Sequence, residues 1–138
     1  AVLIMQQAHI MDTIIHFMAG TLQGLPPVLS AIGMFVVQDI FNVLVPSGSG
    51  QAAITMPLMA PLADLIGLTR QTAVLAFQMG DAFTNVFAPT SGEVVAACAM
   101  AHISFGKWFK WLAPLFFLWW VVAFAFMFIA VQIHYGPF

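Results

Sequence analysis

The sequence predicts an all-α integral membrane protein: an interfacial amphipathic helix, a re-entrant helical hairpin, a broken transmembrane helix and a final transmembrane helix. Two observations carry most of that prediction. The first is composition. Hydrophobic residues make up 62% of the chain and charged residues 6%, whereas soluble domains carry about 25% charged residues. That leaves too little charge to cover a soluble surface, and the mean hydropathy of +1.02 agrees. The second is a pair of polar knots in this oily chain, Asn42-Val-Leu-Val-Pro46-Ser47-Gly48-Ser49-Gly50-Gln51 and Asn85-Val-Phe-Ala-Pro89-Thr90-Ser91-Gly92. Both read Asn-Val-apolar-apolar-Pro-(Ser/Thr), and each follows an aspartate, Asp39 or Asp81.

Composition also excludes several classes. The net charge is −2 with no basic run, so nothing supports nucleic-acid binding. The single cysteine, Cys98, excludes an internal disulfide and reads as a small buried hydrophobe between Ala97 and Ala99. The chain opens on Ala1-Val2-Leu3 without the basic n-region of a signal peptide. It is expected to be the C-terminal piece of a larger membrane protein.

Taken in order, residues 1–23 carry a polar stripe of Gln6, His9, Asp12, Thr13 and His16 at helical spacing among apolar residues. That pattern predicts an amphipathic interfacial helix; His9, Asp12 and His16 belong to the stripe and need no metal. Gly24-Leu25-Pro26-Pro27 is a break, with proline suited to the first turn of a new helix. Residues 27–66 predict the hairpin, with its tip at 46–51. The second arm, over 51–66, is roughly 24 Å long at 1.5 Å per residue, short of a hydrocarbon core of about 30 Å. It also carries Pro57 and Pro61, and the tip lacks Lys or Arg. A re-entrant tip fits these features better than full spans do. Residues 70–105 read as one helix would be roughly 54 Å long, so they predict a span broken at a centre over 85–92. Thr90 and Glu93 then fit a capping box for its second half. Lys107, Trp108, Lys110 and Trp111 mark a membrane interface. Residues 111–134 predict the last span, with Pro114 near its first turn. Lys107 and Lys110 against Arg70 at the hairpin mouth favour the Lys107 side as cytoplasmic.

Non-helical backbone at membrane depth is tolerated only where protein buries it or where it lines a watery cavity. Two such stretches therefore predict one binding site. Free N–H groups at helix starts after Ser47–Gly50 and Thr90–Gly92 suit a substrate carboxylate. Free carbonyls near Asn42–Val45 and Asn85–Ala88 suit a hard cation such as Na+, the candidate coupling ion. Asn42, Asn85, Ser47, Ser49, Thr84, Thr90 and Ser91 supply further oxygens. This is the arrangement of secondary transporters built from hairpins and discontinuous helices. An ionisable residue inside a span is a functional candidate. Asp81, sharing a helical face with Gln78 and Asn85, is open to binding a cation, carrying a proton, contacting a cationic substrate or bracing the tip. For Asp39 the bracing role is favoured.

These residues also carry a family likeness. The run Val45-Pro-Ser-Gly-Ser-Gly-Gln-Ala-Ala-Ile-Thr-Met-Pro-Leu-Met-Ala-Pro-Leu-Ala-Asp64, with Ala76-Phe-Gln-Met-Gly-Asp-Ala-Phe-Thr-Asn85 and Pro89-Thr-Ser-Gly92, resembles the YfcC-like branch of the DcuC-like anaerobic C4-dicarboxylate carriers, within the ion transporter superfamily. The resemblance covers nearly the whole chain. It implies bacterial inner-membrane carriers of two inverted repeats with elevator-like transport, of which this chain looks like the C-terminal repeat. It implies site roles for Asn42, Ser47, Gly48, Ser49, Gln51, Asn85, Thr90 and Ser91. Ser47, Gly48, Ser49, Gln51, Thr90 and Ser91 are thus the candidate substrate-binding residues, and Asn42, Thr84, Asn85 and Asp81 the candidate ion-binding residues. The expected partners are a small carboxylate-bearing substrate (C4-dicarboxylate, amino acid or peptide), the lipid bilayer, an N-terminal repeat outside this chain and a second copy in a homodimer. The rival reading is a channel or non-transporting subunit in which the knots only kink helices. An intramembrane enzyme fits poorly, because the serines have no base at fixed spacing and the chain has no HExxH.

Overall fold

The structure, a computed structural model, describes Gly20 and residues 24–136. The amphipathic helix expected over residues 1–23 lies outside the described residues apart from Gly20. Among the described residues every regular element is an α-helix: α1 (Pro27–Leu44), α2 (Gly48–Leu65), α3 (Arg70–Asn85), α4 (Gly92–Met100) and α5 (Phe105–Gln132).

The helix ends follow from local chemistry. Pro27 stands at the first position of α1, where a missing N–H costs nothing. Ser47 caps α2, its hydroxyl oxygen accepting from the Gly50 N–H at 3.3 Å. α2 therefore starts at Gly48, three residues before the expected start at Gln51. Both hairpin arms have 18 residues, about 27 Å each. The length difference that argued for re-entrance is absent. α2 stops at Gly67, whose φ of +73° suits glycine. There the Leu68 N–H returns to the Ala63 carbonyl at 2.9 Å. Thr69 caps α3 and also donates to the Tyr135 carbonyl at 2.6 Å, tying the start of α3 to the end of α5.

α1 and α2 touch each other sparingly; both pack mainly on α3, and α5 closes the group from the other side. The core draws Ala31, Met34 and Phe35 from α1, Met59, Leu62 and Ala63 from α2, Ala73 and Ala76 from α3, and Ala123 and Met127 from α5. These spacings of three and four are the buried stripes of helices. α3 shows α1 a face of small residues, Ala73, Ala76, Gly80 and Thr84, all buried. A Cβ on Gly80 would lie 2.8 Å from the Asp39 nitrogen and 3.0 Å from the Gln38 carbonyl carbon. Only glycine lets the two backbones approach this closely.

α5 has 28 residues, about 42 Å, and takes in the expected interface segment. Pro114 consequently falls inside the helix rather than in its first turn. Its outer side, including Trp111, Phe117, Leu118, Val121 and Ile133, is exposed. α1 and α5 are long and apolar enough to cross a membrane. Cys98 is buried and unpaired.

Candidate functional site

Two interruptions in the helices meet at one place. The first is the tip at residues 45–47 between α1 and α2; the second is the break at residues 86–91 between α3 and α4. α1 and α3 run parallel and end side by side, so their carbonyl ends converge where α2 and α4 begin. Direct bonds join the two interruptions. The Asn42 side-chain amide donates to the Asp81 carbonyl at 2.7 Å. The Thr90 hydroxyl donates to the Val43 carbonyl at 2.8 Å. Phe87, in the break, stacks on Phe116 and packs at a tilt against Phe109, with both centroids at 4.2 Å. That sets the break beside α5 past Lys107 and Lys110.

The Asp81 carboxylate stands at the centre of this arrangement. One oxygen accepts from the Asn85 amide at 3.1 Å. The other lies over Gly48, where a Cβ would meet it at 3.1 Å. Gly48 thus has a reason to be glycine: the first turn of α2 lies directly against this acid. Asp81, Asn85 and Gly48 are half-buried, whereas Ser47, Ser49 and Thr90 are exposed. Exposed hydroxyl residues thus flank a half-buried acid. Gly92 begins α4, and the N-cap Ser91 makes no side-chain capping bond. The expected capping box from Thr90 to Glu93 does not form: α4 begins at Gly92, so Ser91 and not Thr90 stands at the N-cap.

The predicted site residues divide into two groups. Asn42, Asp81, Asn85, Ser47, Gly48, Ser49, Thr90 and Ser91 come together at the junction of tip and break. Gln51 and Thr84 face inward instead. Gln51 is fully buried and donates to the Gln38 carbonyl at 2.9 Å and to the Gln38 side-chain oxygen at 2.8 Å. Thr84, 2% exposed, bonds to the carboxylate of Asp39 and to its carbonyl. Both residues brace the packing of the helices behind the junction. The Asn42 side-chain oxygen is buried and has no hydrogen-bond partner among the described residues.

Three contributors were not singled out from sequence. Gln38 precedes Asn42 by one helical turn on the same face, and its polarity in an apolar helix was the available signal. Gly80 sits beside Asp81 in a helix interior, where glycine weakens the helix unless packing requires it. Trp108, read as an interfacial anchor, donates its indole N–H to the Val86 carbonyl at 3.0 Å and so satisfies the backbone of the break.

Comparison with known proteins places this sequence in a family. Residues 1–132 match the family model described as "C4-dicarboxylate anaerobic carrier", DcuC. A protein of Escherichia coli strain K12, named "Putative basic amino acid antiporter YfcC", is 45% identical over 103 residues, covering 75% of this chain and 20% of that protein. An uncharacterized protein of Haemophilus influenzae is 37% identical over 113 residues, covering 82% of this chain and 22% of that protein. The chain thus spans about a fifth of the length of these relatives. No solved structure matches it significantly. On the match over residues 1–132, the chain belongs to the DcuC family of C4-dicarboxylate anaerobic carriers.

Proposed function

We propose that the chain forms the hairpin-and-broken-helix part of a secondary active transporter in the bacterial inner membrane. Its substrate is a small carboxylate-bearing metabolite, and transport is driven by Na+ or H+ or by exchange. The observation that carries this reading is the meeting of tip and break through Asn42–Asp81 and Thr90–Val43. Irregular backbone and polar side chains at membrane depth need a cavity or a protein partner, and here they gather at one half-open place. The family description names C4-dicarboxylates and the E. coli relative's name refers to basic amino acids; both substrate classes carry a carboxylate.

In this reading Ser47, Gly48, Ser49, Thr90 and Ser91 line the substrate side, with uncapped N–H groups at the start of α4 available to a carboxylate. Asp81, Asn85 and the unpartnered oxygen of Asn42 offer hard oxygens to a cation. Gln51 and Thr84 position this machinery from behind. Alternating access comes from movement of the hairpin and broken helix as a unit, against an N-terminal repeat outside this chain and within a homodimer.

The test is the full-length protein in proteoliposomes, given dicarboxylates, amino acids and peptides with and without Na+ and proton gradients. Saturable uptake with counter-flow is the expected result. Ion conductance without saturable counter-flow would overturn the proposal in favour of a channel.

A further inference from the structure

The two arms of the hairpin touch each other sparingly, yet both turn polar side chains inward at one level. Gln38 of α1 and Gln51 of α2 are 0% exposed, and Thr55, one turn beyond Gln51 on the same face of α2, is 3% exposed. The Gln51 amide nitrogen donates to the main-chain oxygen of Gln38 at 2.9 Å and to its side-chain oxygen at 2.8 Å. A main-chain carbonyl only accepts, so these bonds fix both amides: the Gln51 atom facing α1 is the nitrogen, and the Gln38 atom meeting it is the oxygen. The other ends of the two amides are left over. Gln38 Nε2, Gln51 Oε1 and Thr55 Oγ1 are all buried, and none has a hydrogen-bond partner among the described residues. Native interiors satisfy nearly all such atoms with protein or ordered water. These side chains are already enclosed within this chain, so segments elsewhere in a longer protein reach them only if its helices part.

We propose that Gln38 Nε2, Gln51 Oε1 and Thr55 Oγ1 form a binding site for one enclosed water molecule, which completes the tie between the two arms of the hairpin. This site stands apart from the transport reading and takes a ligand that the substrate and ion site does not use. The donors and acceptors match a water. Gln38 Nε2 offers a hydrogen, which water accepts. Gln51 Oε1 and Thr55 Oγ1 offer lone pairs, and water supplies its two hydrogens. Buried waters make about three hydrogen bonds each. A helical side chain leans over the turn before its own position, so Thr55 carries its hydroxyl back toward the turn that holds Gln51 and the paired amides. A metal cation suits the seam poorly. It would meet two oxygens but also the N–H of Gln38, and turning that amide over would set its nitrogen against the Gln51 nitrogen. Asn42, one turn nearer the tip on the Gln38 face, keeps its bond to Asp81. The Gln51–Gln38 bonds and the water together hold arms that otherwise touch little.

The test uses the full-length protein in detergent, with the unfolding temperature as readout. Thr55→Val keeps the shape and removes the hydroxyl. A hydroxyl bonded to water is lost at a cost, so the unfolding temperature falls, while Thr55→Ser stays near the wild type. A rise in Thr55→Val would mark an orphaned hydroxyl that the protein is better without, and would overturn the proposal. Gln38→Met and the double variant Gln38→Met/Thr55→Val complete a cycle. Gln38 and Thr55 share no direct bond, so a bridging water makes their losses less than additive, and the double variant falls little further than Gln38→Met alone. Additive losses would assign the Thr55 hydroxyl to a bond within its own helix and overturn the site. Exchanging choline for Na+ at constant ionic strength shifts the wild type and Thr55→Val alike. A rise with Na+ confined to the wild type would make the occupant a cation and overturn the assignment to water. A second measurement needs no variant: a high-resolution density map of the wild type shows a peak about 3 Å from both Gln38 Nε2 and Gln51 Oε1. The lack of such a peak would overturn the proposal however the variants fold, and loss of uptake would bear on the transport reading alone.

Discussion

The side-chain amide of Asn42 reaches from the last turn of α1 to the main-chain oxygen of Asp81 in α3, at 2.7 Å. This bond joins the hairpin to the broken helix one turn from each interruption, and Asn42 is fully buried. Asn42→Ala removes the donor and leaves a small void, at a cost of about 1–3 kcal/mol. Asn42→Asp replaces the donor with acceptor oxygens facing a carbonyl and costs more. Thermal unfolding of both variants in detergent checks the order. Equal or negligible losses would show that the bond does not hold the two units together.

Thr90 makes the second connection, from the break to the Val43 carbonyl in the final turn of α1. Thr90→Val keeps the shape and removes the hydroxyl, so it should cost about 0.5–1.5 kcal/mol and slow uptake by the full-length protein. Thr90→Ser keeps the donor and should retain both properties. Unfolding and uptake measured side by side separate a purely structural bond, where only stability changes, from one that couples tip and break.

Gly80 and Gly92 are predicted to respond oppositely to the same substitution. Gly80→Ala places a methyl group 2.8 Å from the Asp39 main-chain nitrogen. Backbone cannot swing aside as a flexible side chain would, so overpacking should cost about 1–3 kcal/mol. It should also push α1 away from α3 and weaken the Asn42 bond. At Gly92 nothing lies within 4 Å of an added Cβ, and Gly92→Ala should change stability by no more than about 0.5 kcal/mol. The comparison is read from unfolding temperatures, with a cysteine pair across α1 and α3 reporting any separation.

What the sequence made legible was governed by local chemistry. The two knots stood out because Pro, Gly, Ser and Asn interrupt an apolar helix wherever they cluster, and the interruption at residues 86–91 lies within the predicted centre over 85–92. The tip is narrower than its predicted span. Ser47 caps Gly50 and winds Gly48, Ser49 and Gly50 into α2. Gln51 is then already in the first turns of that helix, turned toward Gln38 in the interior. The fate of Thr90 was not legible either. Thr90 and Glu93 satisfy the capping-box spacing, but α4 starts at Gly92 with Ser91 at its N-cap, and the Thr90 hydroxyl donates to the Val43 carbonyl, 47 positions away in sequence. Thr84 likewise turns to Asp39 because Gly80 draws α3 against α1, a contact that spacing along α3 alone does not specify.

Trp108 separates membrane anchoring from internal support. Tryptophan near lysines at a helix start reads as a headgroup anchor, and Trp111, 70% exposed, fits that role. Trp108 is half-buried and gives its indole N–H to the Val86 carbonyl at 3.0 Å, just past the end of α3. A carbonyl released where a helix stops inside a membrane protein needs a donor, and Trp108 supplies it from α5. Trp108→Phe keeps an aromatic ring against Trp111, whose centroid lies 5.6 Å away, and removes only the donor. It should cost about 0.5–1.5 kcal/mol and loosen the break, seen as faster amide exchange over residues 86–91. Trp111→Phe should leave both unchanged in detergent. Matching effects from the two substitutions would mean that anchoring at the interface, rather than the bond to Val86, holds the break beside α5.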